Sequence, residues 1–472
     1  MKKKRKITKI AHLILAVILL GGFCGSGAGA TANKNETGRR LQKLDKYIEM
    51  GLSNNLALKQ QRFSLDKSLQ ALREARGMFL PLISIEARYS RAGGGRVIDI
   101  PIGDMVNPIY QTLNQLLTLH GIPGNFPTNI PNEQVPFLRE TEHDTKLRVI
   151  QPLFQPAIYY NLKIKKDLTG IEKAKLNVFK RQLVADIKNA YYTYLKTVKV
   201  MQLLDNTKEL LEENVRLSKS LFKNHKVTEE VVFRSEAELS KLEQQRAEAE
   251  KSVRLAASYF NFLLNRSLDA EIVVDSLDQK PVFRAYDLET LTARALKRRS
   301  EFQQLQGAID AARHTIGLHR SSILPTVTAV FDYGFQGETY SFTGEDDYWM
   351  GSLVLSWNLF CGGQDLAKKK QAVIQKKQLE AQHAELETKI KLQVKEAYHN
   401  MNVAKKAVTS SEDTLNSRKQ AFFIVSKKYK QGMVPQIEYT KARNDYTNAG
   451  ISHIIAIAGA KKKSSPKKTS FQ

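Results

Sequence analysis

The sequence predicts a mixed α/β chain with an internal duplication, in which short one-sided strands are joined to two very long helices. Several stretches of about ten residues alternate between apolar and polar side chains, which is typical of strands that face water on one side only. Between Gly363 and Gly432 the chain has no glycine or proline, so these roughly 67 residues predict a helix about 100 Å long. Matching segments recur at fixed offsets, which indicates two copies of one unit.

Four strands are predicted, two in each copy. Strands of about ten residues reach roughly 30 Å, the thickness of the apolar part of a bilayer, but a sheet of four leaves two edges unpaired and must close with other chains. The side chains expected to face a water-filled interior are Ser84, Glu86, Arg88, Thr326, Thr328, Asp332, Ser352 and Asn358. Aromatic residues at strand ends occur in soluble sheets as well as in the girdles of membrane barrels, and a girdle is predicted from Tyr89, Tyr333, Phe335, Tyr348, Trp349 and Trp357.

The two copies differ by one insertion. Leu80-Pro81 matches Leu324-Pro325 at an offset of 244 residues, whereas Leu153-Phe154 matches Leu359-Phe360 at an offset of 206. The difference of 38 residues lies in Arg91 to Asp144, which is rich in glycine and proline and is therefore expected to be a long loop without elements of its own. The first copy spans about residues 45–265 and the second about residues 286–460.

The long helices carry a heptad seam. Residues on one face recur at alternating spacings of three and four, for example Val394, Ala397, Met401, Ala404 and Val408. The pattern continues after the first helical turn, so each long helix is expected to fold back on the next as an antiparallel coiled coil. A secreted coiled-coil structural protein or adhesin would show the same seams, but it has no need of four one-sided strands.

The two ends of the chain are basic. Residues 1–32 have a basic start, an apolar run and small residues before the expected cleavage after Ala30 or Ala32, which predicts a secretory signal peptide. The alternative is a lipidated N-terminus at Cys24. Without the leader only Cys361 remains, so no intramolecular disulfide is expected. The tail, residues 461–472, is rich in lysine and serine and is expected to be disordered.

Several classes of function lack their motifs. The net charge of +25 is partly terminal, and no zinc spacing or RNA-binding signature accompanies it, so nucleic acid is not an expected partner. Phosphate-binding loops, nucleophile elbows and metalloprotease motifs do not occur, so no enzyme activity, catalytic residue, cofactor or metal site is predicted. His314 and His319 are five residues apart, a poor spacing for metal ligation from one helix face; surface or core roles are the interpretation adopted.

The order of these motifs resembles a known family. "KYIEMGLSNNLALKQQ", the two Leu-Pro strand starts, the two Leu-Phe strand ends and "YKQGMVPQIEYTKARND" together are similar to the TolC-like outer-membrane efflux proteins, from about Leu44 to Ala460. The resemblance implies a homotrimer whose chains give four strands each to a 12-stranded barrel in outer-membrane lipid, continuous with a periplasmic helical coiled-coil barrel. It implies passive conduction of substrates from an inner-membrane pump through a periplasmic adaptor (membrane fusion) protein.

The resemblance also points to a gate. In the family, the turns at the ends of the long helices close the periplasmic mouth, and carboxylates after the second turn narrow it. Matching "GMVPQIEYTK" puts Glu438 at the first acid and Lys441 where a second acid is expected, a departure that should make the mouth less cation-selective. The alternative is a solvated intrahelical pair without a gating role. The expected gate residues are Glu438, Lys441, Gly432, Pro435, His225 and Val231.

Overall fold

A computed structural model describes residues 43–274, 281–283 and 285–464. The predicted signal peptide, the Cys24 alternative and the tail beyond residue 464 lie outside the described residues. The first half consists of α1 (Lys43–Asn54), α2 (Leu56–Gly77), β1 (Leu82–Arg91), β2 (Val97–Ile100), α3 (Ile102–Leu119), β3 (Glu133–Pro136), β4 (Thr141–Phe154), α4 (Pro156–Lys223) and α5 (Glu229–Leu263). The second half consists of α6 (Leu288–Arg298), α7 (Ser300–Ser321), β5 (Thr326–Gly337), β6 (Asp347–Ser356), α8 (Gln364–Lys430) and α9 (Gln436–Ser464).

The four predicted strands form one antiparallel sheet in the order β1-β4-β5-β6. Its register places Arg148 of β4 opposite both Ser84 of β1 and Asp332 of β5, so the polar residues of neighbouring strands share one face. The strands β1 and β6 are the edges. The predicted mixed fold with its duplicated strand pairs is confirmed.

Each half begins with a helix that is broken once. The break falls at Asn55 in the first half and at Arg299 in the second, and both residues are extended, with ψ angles of 123° and 127°. The Asn55 side chain accepts a hydrogen bond from the backbone N–H of Leu58 at 2.9 Å and so caps α2. The cap satisfies a backbone N–H group that has no partner within the helix at this bend. Helical periodicity in the sequence does not reveal such a bend.

The long helices α4 and α8 have 68 and 67 residues, as predicted. Helix α5 returns along α4, and Leu204, Leu211 and Leu242 form a small core between them. A larger core contains Ile187 of α4, Phe260 of α5 and Tyr47 of α1. Ile187 and Phe260 are fully buried, and Tyr47 is 8% exposed. Among the described residues, no helix is both long and apolar enough to cross a membrane.

The connection between β1 and β4 is not the plain loop that was expected. It contains the hairpin of β2 and β3 and the 18-residue helix α3. The glycine-rich and proline-rich stretches lie on either side of α3, and only Gly103 and Pro108 fall inside it. Composition averaged over the whole insertion concealed a helix between two turn-forming stretches. Because β1 and β4 both meet helices at their other ends, this connection lies at the end of the sheet away from α4.

Candidate functional site

One face of the sheet carries a network of ion pairs. Arg148 makes a bidentate contact with Asp332, at 2.9 Å from Nε to Oδ1 and 2.8 Å from Nη2 to Oδ2, and its Nη1 lies 3.0 Å from Glu86 Oε2. A second pair joins Lys146 Nζ to Asp144 Oδ2 at 2.7 Å. These charges link β1, β4 and β5 across the register. Charged side chains must either contact water or be paired with an opposite charge. On this face they are paired and keep some access to solvent.

The opposite face is apolar and aromatic. Phe331 and Trp349 stack with ring centroids 6.4 Å apart, and Tyr333 lies on the same face. The prediction that Tyr348 belongs to the aromatic girdle is wrong: its neighbours in the register place it on the polar face, where its hydroxyl donates to Asp144 Oδ1 at 2.9 Å. Side chains alternate along a strand, so adjacent residues such as Tyr348 and Trp349 cannot share a face.

The turns at the far ends of the long helices have the same backbone geometry. His225 ends the first turn with φ of 54°, and Gly432 ends the second with φ of 73°, so both occupy the left-handed region. In each turn a backbone N–H donates to the carbonyl five residues earlier, which is the Schellman motif. The two bonds, both 2.9 Å long, run from Lys226 to Leu221 and from Met433 to Lys428.

The predicted gate residues cluster at these two turns. Pro435 precedes α9, and its carbonyl accepts a hydrogen bond from the Glu438 N–H at 3.1 Å. Glu438 and Lys441 lie on the first two turns of α9 with exposed side chains, and within the described residues no ion pair connects them. Val231, on α5, meets α9 through its carbonyl, which accepts a hydrogen bond from Gln436 Nε2 at 3.1 Å. The fold therefore brings the two turns next to each other.

Comparisons with known proteins agree with this architecture. Residues 291–457 match the family model of outer membrane efflux proteins. The chain is similar to a membrane protein from Pseudomonas aeruginosa at 15% identity, with 93% of this chain and 98% of that chain covered and a TM-score of 0.73. It is also similar to the CmeC outer membrane channel of Campylobacter jejuni, at 14% identity, 94% and 91% coverage and a TM-score of 0.69. A search of curated proteins found no match.

The resemblance to the TolC-like outer-membrane efflux proteins is confirmed. A third similar structure, the open state of the MtrE outer membrane channel of Neisseria gonorrhoeae, has 15% identity, 93% coverage of each chain and a TM-score of 0.68. The match to the family of outer membrane efflux proteins indicates a location in the outer membrane.

Next to the turns, the chain has a buried polar cluster that the sequence did not reveal. Ser235 of α5 lies at its centre and is fully buried. Its Oγ is 2.8 Å from Ser218 Oγ, accepts a hydrogen bond from Asn214 Nδ2 at 3.2 Å and also accepts one from Gln436. Because α5 and α9 belong to different copies, 201 residues separate Ser235 from Gln436, whereas Ser218 and Asn214 are only 17 and 21 residues away. No local pattern marks them.

An ion pair continues this cluster along the two returning helices. Arg443 of α9 is 3% exposed in its side chain and donates from Nη2 to Glu238 Oε2 of α5 at 2.8 Å. Burial lowers the pKa of the Arg443 guanidinium, and Glu238 opposes this effect. Nearby, Tyr429 and Tyr439 stack with centroids 4.8 Å apart, and burial raises the pKa of both hydroxyls. The turns are thus attached to each other by contacts whose polar groups are largely withdrawn from water.

The two histidines considered as a metal pair have other surroundings. His314 Nδ1 lies 2.6 Å from Asp167 Oδ2 and connects α7 to α4. His319 lies five residues further along α7. Within the described residues, no group of three or more His, Cys, Asp or Glu side chains is arranged to hold a metal ion.

Proposed function

We propose that this protein is the outer-membrane channel of a tripartite efflux or secretion system. In this proposal three copies each contribute four strands to one closed 12-stranded barrel in outer-membrane lipid. Their helices continue the channel into the periplasm. The channel conducts passively the substrates that an inner-membrane pump delivers through a periplasmic adaptor protein.

The observation that carries the proposal is the sheet with unlike faces and two free edges. One face holds the ion pairs of Arg148 and Lys146, and the other exposes apolar residues such as Leu353. Lipid accepts the apolar face, but it cannot satisfy the backbone groups of the edge strands β1 and β6. Closure with other copies satisfies both edges and encloses the polar face around water. A coiled-coil adhesin gives no reason for this arrangement.

We further propose that the two adjacent turns form the periplasmic mouth. Gly432 and His225 provide the reversals, while Pro435 and Val231 lie where α9 and α5 begin. Glu438 and Lys441 are exposed on the single chain and are therefore free to line a pore between copies. Three copies place three acids and three bases around that pore. Exposed pairs contribute only about 0.2–1 kcal/mol each, so such a ring biases the mouth but does not lock it.

Planar-bilayer recordings test the mouth. Lys441→Ala is expected to raise the preference for cations because it removes three positive charges, and Glu438→Ala is expected to lower it. The double variant should conduct more than the parent. If all three variants match the parent in conductance and ion selectivity, the gate lies elsewhere.

Two adjacent positions of β6 test the channel itself. Leu353 lies on the apolar face and Ser352 on the polar face. An arginine that faces lipid near mid-bilayer costs about 2–4 kcal/mol, so Leu353→Arg should prevent assembly in the outer membrane. Ser352→Arg should assemble and should shift the channel toward anions. Because the two substitutions are at adjacent positions of one strand, their effects on the rest of the chain should be the same.

The measurement is the amount of heat-resistant oligomer in outer-membrane fractions, followed by bilayer recordings. Equal tolerance of both arginines would mean that neither face meets lipid. A soluble, stable monomer of the parent would contradict the channel altogether.

A further inference from the structure

Helix α3 of the β1–β4 connection turns its apolar side away from its own chain. Met105, Ile109, Leu116 and Leu119 are 67%, 62%, 50% and 81% exposed. A helix of a water-soluble domain normally does the opposite and buries its apolar stripe. The exposed stripe therefore requires an occupant.

The polar side of α3 is already bound within the chain. Asn107 holds the backbone of Ile130 through two hydrogen bonds, of 2.9 Å from Nδ2 to the carbonyl and 2.8 Å from the N–H to Oδ1. One helical repeat further on, Asn114 holds Phe126 in the same way, at 2.8 and 3.0 Å. The paired hydrogen bonds of these two asparagines resemble those between two β-strands. They fix α3 on the returning segment and determine which side stays outside.

A close backbone contact reinforces this orientation. A Cβ added to Gly103 would lie 2.1 Å from the carbonyl oxygen of Ile130, so only glycine permits this approach. Asn132 adds a third attachment, since its Nδ2 donates to Asp104 Oδ2 at 2.9 Å. Rotation of α3 to bury its apolar side would break all of these contacts. The outward stripe is a fixed property of the fold.

The spacing of the stripe identifies its occupant. Ile102, Met105, Ile109, Thr112, Leu116 and Leu119 follow one another at alternating intervals of three and four residues, which is the seam of a coiled coil. All but Thr112 are apolar. A neighbouring helix with the same seam fits such a surface by knobs-into-holes packing.

Charge argues against the lipid surface as the occupant. Helices that lie in a membrane interface are rich in Lys and Arg on their polar side. From Val97 to Asn132 the chain has no Lys or Arg, and its charged residues are Asp99 and Asp104, neither of them in the stripe. An uncharged seam can meet an identical seam without repulsion, whereas it offers nothing to an anionic surface.

We infer that α3 of one copy packs through this stripe on α3 of neighbouring copies. The inference rests on the proposed assembly of several copies. It agrees with chain connectivity, because the connection leaves from β1, an edge strand that must pair with another copy. The α3 helices then join the copies at the end of the sheet away from the long helices, independently of the contacts between strands.

Disulfide cross-linking tests the inference. Met105→Cys and Ile109→Cys are made in a background that lacks both natural cysteines (Cys24→Ser, Cys361→Ser), and the protein is reconstituted in phosphatidylethanolamine and phosphatidylglycerol vesicles. Gln111→Cys is the matched control, since it is exposed on the same helix but lies off the stripe. Oxidation should link Met105→Cys and Ile109→Cys between chains at least tenfold faster than Gln111→Cys. Light scattering of the detergent-solubilised protein measures the number of copies separately.

Each other result overturns the inference. A trimer in which the stripe cysteines link no faster than Gln111→Cys contradicts the α3 contact but leaves the channel proposal intact. Quenching of a fluorophore on Ile109→Cys by spin-labelled lipid shows that the membrane is the occupant instead. A monomer contradicts the α3 contact and the proposed assembly together.

Discussion

The two long helices have nearly equal length and corresponding positions in the duplication, yet their surroundings differ. Fourteen residues of α4 are buried, whereas only five of α8 are. Helix α4 packs on α1, α2, α5, α7 and α9, while α8 packs mainly on α6, α7 and α9. Apolar residues of α8 such as Leu392, Val403 and Phe423 are more than half exposed. In the single chain, α4 is packed by other helices on several sides, whereas one side of α8 is exposed.

This difference shows how a duplicated chain forms one unit rather than two. If each copy of the duplicated unit formed its own hydrophobic core, α4 and α8 would be equally buried. Instead the returning helix of the second copy, α9, packs on the long helix of the first. The long helix of the first copy is therefore the more buried, and that of the second copy leaves more of its surface exposed. Paired variants of corresponding elements can measure this asymmetry.

The largest effect is expected for the cores of the two long helices. Leu211 of α4 is 1% exposed, so Leu211→Ala should lower the free energy of unfolding by about 2–5 kcal/mol. Leu392 of α8 is 65% exposed, and Leu392→Ala should change it by less than about 0.5 kcal/mol. Urea unfolding in detergent, followed by circular dichroism, measures both. An equal loss would mean that a neighbouring protein chain covers Leu392.

The contact between the two copies should be nearly as sensitive. Glu238→Gln leaves the buried Arg443 guanidinium without its counter-charge, and we expect a loss of about 3 kcal/mol. The control is the exposed pair of Arg418 and Asp445, 3.0 Å apart within the second copy, where Asp445→Asn should cost under about 1 kcal/mol. The same unfolding assay applies. Similar losses for the two variants would show that the contact between copies has no special weight.

A smaller effect is expected at the paired turns. Gly432→Ala places a Cβ in the left-handed region and should cost about 1–2 kcal/mol, although a Cβ there meets no other atom within 4 Å. His225 already occupies that region, so His225→Gly should stabilise the first turn by less than about 1 kcal/mol. Melting temperatures should move in opposite directions. Shifts of the same sign would mean that backbone strain does not decide these turns.

The smallest effect concerns the helix starts and depends on pH. Asp287 caps α6, accepting a hydrogen bond from the Thr290 N–H at 2.9 Å, and this hydrogen bond lowers the pKa of its carboxyl below the ordinary value. The corresponding residue of the first copy is Lys43, which cannot cap in this way. Because the folded pKa is depressed, the stabilisation is present above the unfolded pKa and is lost as the pH falls through the folded value.

Asp287→Asn keeps a capping side chain but cannot titrate, so it is the control for that effect. The parent should lose stability relative to Asp287→Asn as the pH falls below about 4. Melting curves at several pH values between 7 and 3 measure the difference. A difference that does not vary with pH would mean that Asp287 is equally ionised in both states.

The sequence by itself determined the elements whose signals are local and repeated. Alternation identified the four strands and the polar face with Glu86 and Asp332, and the absence of glycine and proline identified α8. The offsets identified the duplication, and Gly432 marked the end of the second long helix. These features depend on backbone propensity and side-chain period, which a sequence states directly.

Only the tertiary structure decided which equivalent elements are buried, which face Tyr348 occupies and what binds the two turns. Ser235 and Glu238 lie near the start of α5 and bind Gln436 and Arg443 near the start of α9, and the pattern of neither helix predicts these partners. The helix α3 was missed because its flanking glycines and prolines dominated the composition of the insertion. Contacts between residues 200 positions apart are selected by the packing of whole helices, and one sequence contains no local measure of that choice.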